Sequence, residues 1–301
     1  MKHKFFIPAT LAFISIIAGC EIIMVPKVEK PIPIKISTTL TKVSGDNFEE
    51  NDAIGLFVVN ATKSDEGKWE SGELAISGNH IDNARYTYSD TWETTEEYYW
   101  KDSETQADFY CYYPYKEDLG DNLESVTFTI PTDQRSEDAF KSAEILWGRT
   151  DLQAPTEKRI KITTSHRTSQ IAIQIVPGKG FTEETLAESI TSVTINNLKS
   201  KVTLNLKDGT LTTSEDAEAS DITPYHDGNV WKALVAPQSV ESQKLVTIVV
   251  DGQERSLVQT VDFTSNSIKK CKITINKINE GVNVGIGGWE EDNNDYGGTL
   301  N

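Results

Sequence analysis

The residues on which most enzyme chemistry depends are scarce in this sequence. It contains three cysteines and four histidines among 301 residues, and no two histidines stand at the spacing of a zinc site. It also lacks a Cys-x-x-Cys motif, a Gly-x-Ser-x-Gly nucleophile turn and a phosphate-binding Walker loop. These absences argue against metal, nucleophilic and nucleotide chemistry. We therefore predict no catalytic residue, no metal site, no bound cofactor and no enzymatic activity.

Positive charge and long apolar runs are also in short supply. Lysine and arginine number 29 against 46 acidic residues, which gives a formal net charge of -17 at pH 7. A surface of this sign repels the phosphates of nucleic acids, so the sequence predicts no nucleic-acid partner. The apolar run at residues 5–18 is shorter than the about 20 residues that cross a bilayer as a helix.

The amino terminus has the pattern of an export signal. Lys2 and Lys4 precede the apolar run, which ends in Ala18 and Gly19 directly before Cys20. This arrangement resembles the lipobox of bacterial lipoproteins, in which the cysteine carries acyl chains such as palmitate and becomes the first mature residue. We predict a signal peptide at residues 1–19, a lipid-anchored tether at 20–33, and an exported outer-membrane lipoprotein at the cell surface. The alternative is an ordinary signal peptide with an incidental cysteine.

Two cysteines, Cys111 and Cys271, remain after Cys20. The exported compartment permits a disulfide between them. Each lies inside an alternating apolar stretch, however, where a thiol behaves as a small apolar side chain. We predict two buried thiols.

Most of the chain from Ile34 onward alternates apolar and polar residues, which is the period of half-buried strands. The pattern recurs at residues 54–58, 126–130, 202–206 and 246–250. Asp208-Gly209 and Asp251-Gly252 offer the positive φ angles of two-residue hairpins. Helix signals are limited to short segments that begin at Ser136 and Thr182. The sequence therefore predicts an all-β fold.

A polar, proline-marked break at residues 153–157 divides this strand-rich region. The length allows one large or two ordinary domains. We predict two tandem β-sandwich domains, at residues 34–160 and 161–290, followed by an acidic flexible tail at 291–301.

The stretch at residues 98–115 is the richest in aromatic residues. A glycan-binding platform would need exposed, coplanar rings. Packing of the rings within a sandwich is favoured instead, because strand alternation accounts for every second ring. The rings that distinguish the two interpretations are those of Tyr98, Tyr99, Trp100, Tyr110 and Tyr112.

A series of short motifs follows in one order along nearly the whole mature chain. They are NDAIGLF at 51–57, YYW at 98–100, DFYCYYPY at 108–115, IPTDQ at 130–134, AEILWG at 143–148, SH at 165–166, LVAPQ at 234–238, and Trp289. Each motif alone is weak. Their order behind a lipobox resembles the fimbrillin family of Bacteroidetes, in its Mfa-like branch.

The resemblance implies two β-sandwich domains similar to transthyretin-like or immunoglobulin-like folds, and a role as a pilus stalk, tip or anchor subunit or a related surface lipoprotein. In polymerising members of the family, proteolysis removes the first strand and a strand of the next subunit fills the groove. An open sheet edge offers unpaired N–H and C=O groups to such a strand. The candidate exchanged strand has inward residues Ile34, Ile36, Thr38 and Leu40.

The sequence departs from the family beside this strand. Polymerising members often carry an arginine there, whereas this chain has Thr41-Lys42, and the first arginine of the mature chain is Arg85. Lys42 therefore marks the candidate cleavage neighbourhood. We predict a lipid-anchored fimbrillin-like pilus (fimbria) subunit, or an accessory or anchor component, that acts in adhesion by donor-strand exchange with other such subunits. The alternative is a monomeric surface lipoprotein that binds a glycan or a host protein.

Overall fold

The strands expected from the alternating pattern are present in the computed structural model, which describes residues 30–39, 48–278 and 281–292, with backbone alone for 278 and 281–292. The first half contains helix α1 (Glu137–Ser142) and strands β1 (Lys35–Thr39), β2 (Ala53–Asn60), β3 (Thr62–Lys63), β4 (Trp69–Glu70), β5 (Ile81–Ser89), β6 (Thr91–Glu93), β7 (Ala107–Tyr113), β8 (Val126–Thr129), β9 (Leu146–Arg149), β10 (Arg159–Thr163) and β11 (Ser165–His166).

The second half contains helix α2 (Glu183–Ser189) and strands β12 (Ser169–Pro177), β13 (Ile190–Lys199), β14 (Lys201–Leu204), β15 (Leu211–Thr213), β16 (Ala219–Ile222), β17 (Tyr225–Asp227), β18 (Val230–Val235), β19 (Gln238–Val250), β20 (Gln253–Phe263), β21 (Ile268–Ile278) and β22 (Gly281–Asp292). The predicted all-β class is confirmed. The predictions for the signal peptide, Cys20, Leu40, Lys42 and residues 293–301 lie outside the described residues.

The first half forms a sandwich of two unequal layers. The larger sheet has the order β11-β9-β7-β2-β5-β6, and its neighbouring strands are antiparallel. The smaller layer consists of β1 and β10, which pair in parallel. Inward side chains of β1 and β10 share one core with side chains of the larger sheet. β1 therefore supplies one of the two strands of a whole layer.

The second half is a sandwich of two larger sheets. One has the order β17-β18-β12-β21-β22 and the other the order β16-β13-β19-β20. The pairing is antiparallel except between β12 and β21. The inward faces of the two sheets meet in a core that includes Ile173, Ile195, Ile248 and Ile273.

A three-stranded sheet joins the two halves. Its order is β15-β14-β8, so that β8 of the first half pairs antiparallel with β14 of the second. A third core lies against it, in which Phe57 and Tyr112 of the first half pack with Val202 and Leu234 of the second. Because β2 and β7 contribute alternate side chains to the first and third cores, both strands are buried on two faces.

The predicted division into domains 34–160 and 161–290 stays a prediction. β10 and β11 extend past residue 160 and pair with β1 and β9 of the first half. The chain from Pro31 onward groups as one compact unit. β22 ends at Asp292, which is two residues into the predicted tail.

The helix starts and one of the two predicted hairpins are confirmed. Ser136 Oγ accepts a hydrogen bond from the Ala139 amide at the start of α1, and Thr182 caps α2 in the same way. Asp251 and Gly252 have φ angles of +48° and +71° and connect β19 to β20.

The prediction of a two-residue hairpin at Asp208-Gly209 is wrong. β14 and β15 pair, but residues 205–210 connect them, and only the glycine of the pair has a positive φ, of +78°. The wider turn packs against Trp147, whose Nε1 donates to the Leu206 carbonyl at 2.9 Å. A Cβ on Gly209 would lie 2.3 Å from Cε3 of Trp147.

The two cysteines that the structure describes are buried free thiols, as predicted. Cys111 lies in the first core and Cys271 in the core of the second half. Burial raises the pKa of both thiols, and that of Cys271 rises to about 11. Of the described residues, no helical segment combines the length and the apolar character that a membrane crossing requires.

Candidate functional site

The first strand is held by backbone hydrogen bonds to β10 and, just before it begins, to the chain segment 98–100. β1 pairs in parallel with β10, with Ile36 opposite Ile160 and Thr38 opposite Ile162. Just before β1, the Ile34 amide donates to the Tyr98 carbonyl at 2.8 Å, and the Trp100 amide donates to the Ile32 carbonyl at 2.9 Å. Among the described strands, β10 is the only partner of β1, so none of them pairs with the other edge of β1.

The side chains of β1 alternate as the sequence predicts. Ile34 and Ile36 are buried, with 1% of Ile36 exposed, whereas Lys35 and Thr39 face outward. Both isoleucines belong to the first core. Burial of an isoleucine side chain contributes about 1.5–3 kcal/mol, so the pair contributes about 3–6 kcal/mol to the attachment of this strand.

We call the surface under β1 the first-strand groove and define it by β10, Trp92 and the chain segment 98–100. The indole Nε1 of Trp92 donates to Thr38 Oγ1 at 2.6 Å. The guanidinium of Arg159 in β10 donates from Nη1 to the Ile36 carbonyl at 3.2 Å. Because these two contacts reach a side chain and a carbonyl of β1, the groove binds the strand by more than its backbone ladder.

An aromatic cluster stands at the end of the groove nearest Thr38. The ring centroid of Phe48 lies 4.5 Å from that of Trp92 in an edge-to-face arrangement. Tyr88 lies 5.3 Å from Trp92, and Tyr113 lies 5.8 Å from Phe48. Such contacts hold each ring in one orientation. They therefore fix the direction in which the Trp92 N–H points.

The aromatic stretch at residues 98–115 packs inside the molecule. Trp100, Tyr110 and Tyr112 are buried, and Tyr99 is 38% exposed. Burial, followed by the hydrogen bond to Glu96, raises the pKa of Tyr98 to about 12. Core packing of the stretch is confirmed. The alternative, an exposed platform that includes Tyr110 and Tyr112, does not form, because β7 is covered on both faces.

Two buried carboxyl groups of the first half each lie beside a basic side chain. Glu144 Oε1 lies 2.8 Å from His166 Nδ1, and Asp108 Oδ2 lies 3.1 Å from a guanidinium nitrogen of Arg149. A search of the described residues finds no group of three or more His, Cys, Asp or Glu side chains placed to hold a metal ion. These pairs connect β7, β9, β11 and the segment before β9, which gives them a structural role.

Comparison with known proteins identifies the family. A family model described as fimbrillin-like matches residues 41–289. The chain belongs to the fimbrillin-like family. A protein of Bacteroides uniformis named as the fimbrium subunit Fim1C is 25% identical over 266 residues, which cover 84% of this chain and 82% of that protein.

Solved structures show that the fold is shared more widely than the sequence. A cell adhesion protein from Bacteroides uniformis superposes with a TM-score of 0.62 at 21% identity, over 87% of this fimbrillin-like chain and 97% of the other. A second, from Bacteroides ovatus, has a TM-score of 0.64 at 16% identity over the same shares. At these identities the likeness concerns the fold.

Reasoning from the sequence identified the inward residues of β1 but missed what receives them. Trp92 and Arg159 were not among the expected residues. A signal for β10 was present, since residues 34–39 read IKISTT and residues 160–165 read IKITTS. The two segments pair in parallel with an offset of two residues, so that Ile36 lies opposite Ile160. Nothing comparable in the sequence marks Trp92.

Proposed function

We propose that this fimbrillin-like protein is a non-enzymatic fimbrial subunit that is lipid-anchored through Cys20 and assembles by exchange of its first strand. One observation carries the proposal. β1 forms half of a two-stranded layer, pairs along one edge only among the described strands, and buries Ile34 and Ile36 in the first core. An element attached in this way can be replaced by an equivalent strand while the rest of the fold stays in place.

Two physical effects would favour replacement of β1 by a donor strand: restored backbone hydrogen bonds and burial of apolar side chains. Loss of β1 would leave β10 with unpaired backbone N–H and C=O groups, and it would expose the apolar side chains under Ile34 and Ile36. A donor strand would restore the ladder and bury its own apolar residues. The groove therefore favours occupation by a strand with alternating apolar side chains.

The segment between Thr39 and Phe48 offers the place for cleavage. It contains Lys42 and reads LTKVSGDN. A cut there would separate Cys20 and β1 from the remainder of the chain, which would free the groove for a neighbour. Without a cut, β1 and the lipid stay attached, and the subunit then serves as an anchor in the outer membrane. In both cases the partners are other fimbrial subunits.

The test uses the full mature fold with one engineered cut. A site for a sequence-specific protease replaces residues 41–46 in a chain that begins at residue 21, and the folded protein is then cleaved and analysed on unboiled gels. The matched control carries the same site at the exposed turn 65–67, so that the cut leaves β1 covalently attached. Denaturant-resistant oligomers from the first protein alone are the expected result.

Two further outcomes distinguish an acceptor subunit from a protein that does not exchange its first strand. Mass spectrometry follows whether an excess of labelled peptide with the sequence of residues 30–40 replaces the cleaved strand. Replacement without oligomers would support an acceptor that takes its strand from a different subunit. Monomers from both proteins together with no replacement would refute strand exchange.

A further inference from the structure

We propose that the first-strand groove selects its occupant by the third inward side chain, and that Trp92 is the residue that reads it. The inference rests on the strand exchange proposed above. The occupant is a strand of another fimbrial subunit that runs parallel to β10 and presents, at alternate positions, two apolar side chains followed by a serine or threonine. In this structure β1 itself provides that series through Ile34, Ile36 and Thr38.

Alternation alone leaves the register of such a strand ambiguous. A shift by one residue is excluded, because it would turn every apolar side chain outward. A shift by two residues keeps the pattern, since Ile32 is also partly buried against the first core and would take the place of Ile34. Ile34 would then replace Ile36, and Ile36 would replace Thr38. The hydroxyl at position 38 is the feature that distinguishes the two registers.

The position of Trp92 suits it to recognise that hydroxyl. Only 6% of the side chain is exposed, and its Nε1 lies 2.6 Å from Thr38 Oγ1. An indole N–H can donate but cannot accept, so it requires an oxygen on the incoming strand. Phe48 and Tyr88 pack against the indole and prevent it from turning toward another acceptor. An apolar side chain at this position would leave a buried donor without a partner.

Arg159 of β10 also contacts the strand, but it does not fix the register. Its Nη1 donates to the Ile36 carbonyl at 3.2 Å, two residues before the hydroxyl. Every residue has a carbonyl, so this contact orients a strand but does not choose among sequences. Trp92 therefore determines the selection. Its N–H binds a strand that has a hydroxyl at this position and is left without a partner by a strand that has none. A buried donor left unpaired lowers the affinity by about tenfold.

The test measures peptide binding to the cleaved protein described above. Three peptides cover residues 30–40: the natural sequence, Thr38→Ser and Thr38→Val. Valine keeps the shape of threonine and replaces its hydroxyl by a methyl group. We expect the natural and Thr38→Ser peptides to displace the cleaved strand with affinities within about twofold, and the Thr38→Val peptide to bind about tenfold more weakly. A Lys35→Ala peptide is the control, because Lys35 faces outward, and it should bind as the natural peptide does.

A variant of the groove makes the assignment specific to Trp92. In Trp92→Phe a smaller aromatic ring replaces the indole and the N–H is lost, so that the natural and Thr38→Val peptides should bind equally. Equal binding of these two peptides to the unaltered groove would overturn the selection rule and leave strand exchange intact. Failure of every peptide to enter would overturn strand exchange itself, and the selection rule with it.

A second measurement does not depend on cleavage. In the uncut chain, Thr38→Val and Trp92→Phe are made singly and together, and unfolding by urea gives the equilibrium constant of each protein. Both changes remove the same hydrogen bond. The equilibrium constant of unfolding should therefore rise in the double variant by about tenfold less than the product of the two rises in the single variants. If the effects of the two single changes on this constant simply multiply in the double variant, Trp92 does not recognise the Thr38 hydroxyl.

Discussion

Replacement of Ile36 by alanine in the uncut chain tests the attachment of β1 most directly. The side chain is almost completely buried in the first core, where it lies opposite Ile160. The change removes three carbon atoms at about 0.8 kcal/mol each, and the space left behind adds a further cost. We expect the free energy of unfolding to fall by about 3 kcal/mol, within the range measured for such truncations.

The control and the assay follow from the geometry of the strand. Lys35→Ala changes the neighbouring side chain, which faces outward, and should alter the free energy of unfolding by less than about 0.5 kcal/mol. Urea unfolding followed by tryptophan fluorescence measures both variants, and an unchanged m value shows that the same transition is compared. If the free energies of unfolding of the two variants differ by less than about 0.5 kcal/mol, burial of Ile36 does not attach β1 to the first core, and the reasoning behind the proposed function fails.

Three further predictions concern other parts of the chain. Cys20→Ser should abolish incorporation of a labelled fatty acid and move the protein from the membrane fraction to the soluble fraction; unchanged labelling would refute the lipid anchor. Because burial raises the pKa of both thiols, Cys111 and Cys271 should resist alkylation at pH 8 until the protein unfolds, and rapid labelling of the native protein would contradict their placement. The hydroxyl and amide of Thr105 lower the pKa of Asp102 to about 2, so its stabilising contribution is present above about pH 4 and is lost as the pH falls through about 2. NMR titration should show that midpoint, which Thr105→Val should raise toward the ordinary value; no such rise would refute the role of the hydroxyl.

The parts of the fold that local patterns determine could be predicted from the sequence. Alternation identifies a strand and its inward face, which is why the sequence places Ile34 and Ile36 correctly on the inward face. Positive φ angles follow from a short Asp-Gly turn, as at Asp251-Gly252. At Asp208-Gly209 the same pair does not form a two-residue turn, because contacts with Trp147 from a distant strand determine the shape of the loop.

The parts that long-range contacts determine could not be predicted in this way. Paired residues of β1 and β10 stand 124 positions apart in the sequence, and parallel pairing leaves no turn between the strands to mark the partners. The pairing of β8 with β14 likewise joins segments from opposite sides of the predicted division at residue 160. Trp92 was missed because its role depends on what lies next to it, which a single aromatic residue in a strand does not reveal.

The parallel ladder between β1 and β10 also determines how the molecule would respond to mechanical load. If lipid on Cys20 holds the chain at the membrane, tension on the tether acts along the axis of β1. The ladder bonds from Lys35 to Thr39 then share the load in shear, whereas a pull across the strand would open them one after another. Tension along the tether must also draw Ile34 and Ile36 out of the core together. Under the proposed function, the strand that exchanges would thus also be the strand that bears tension along the tether.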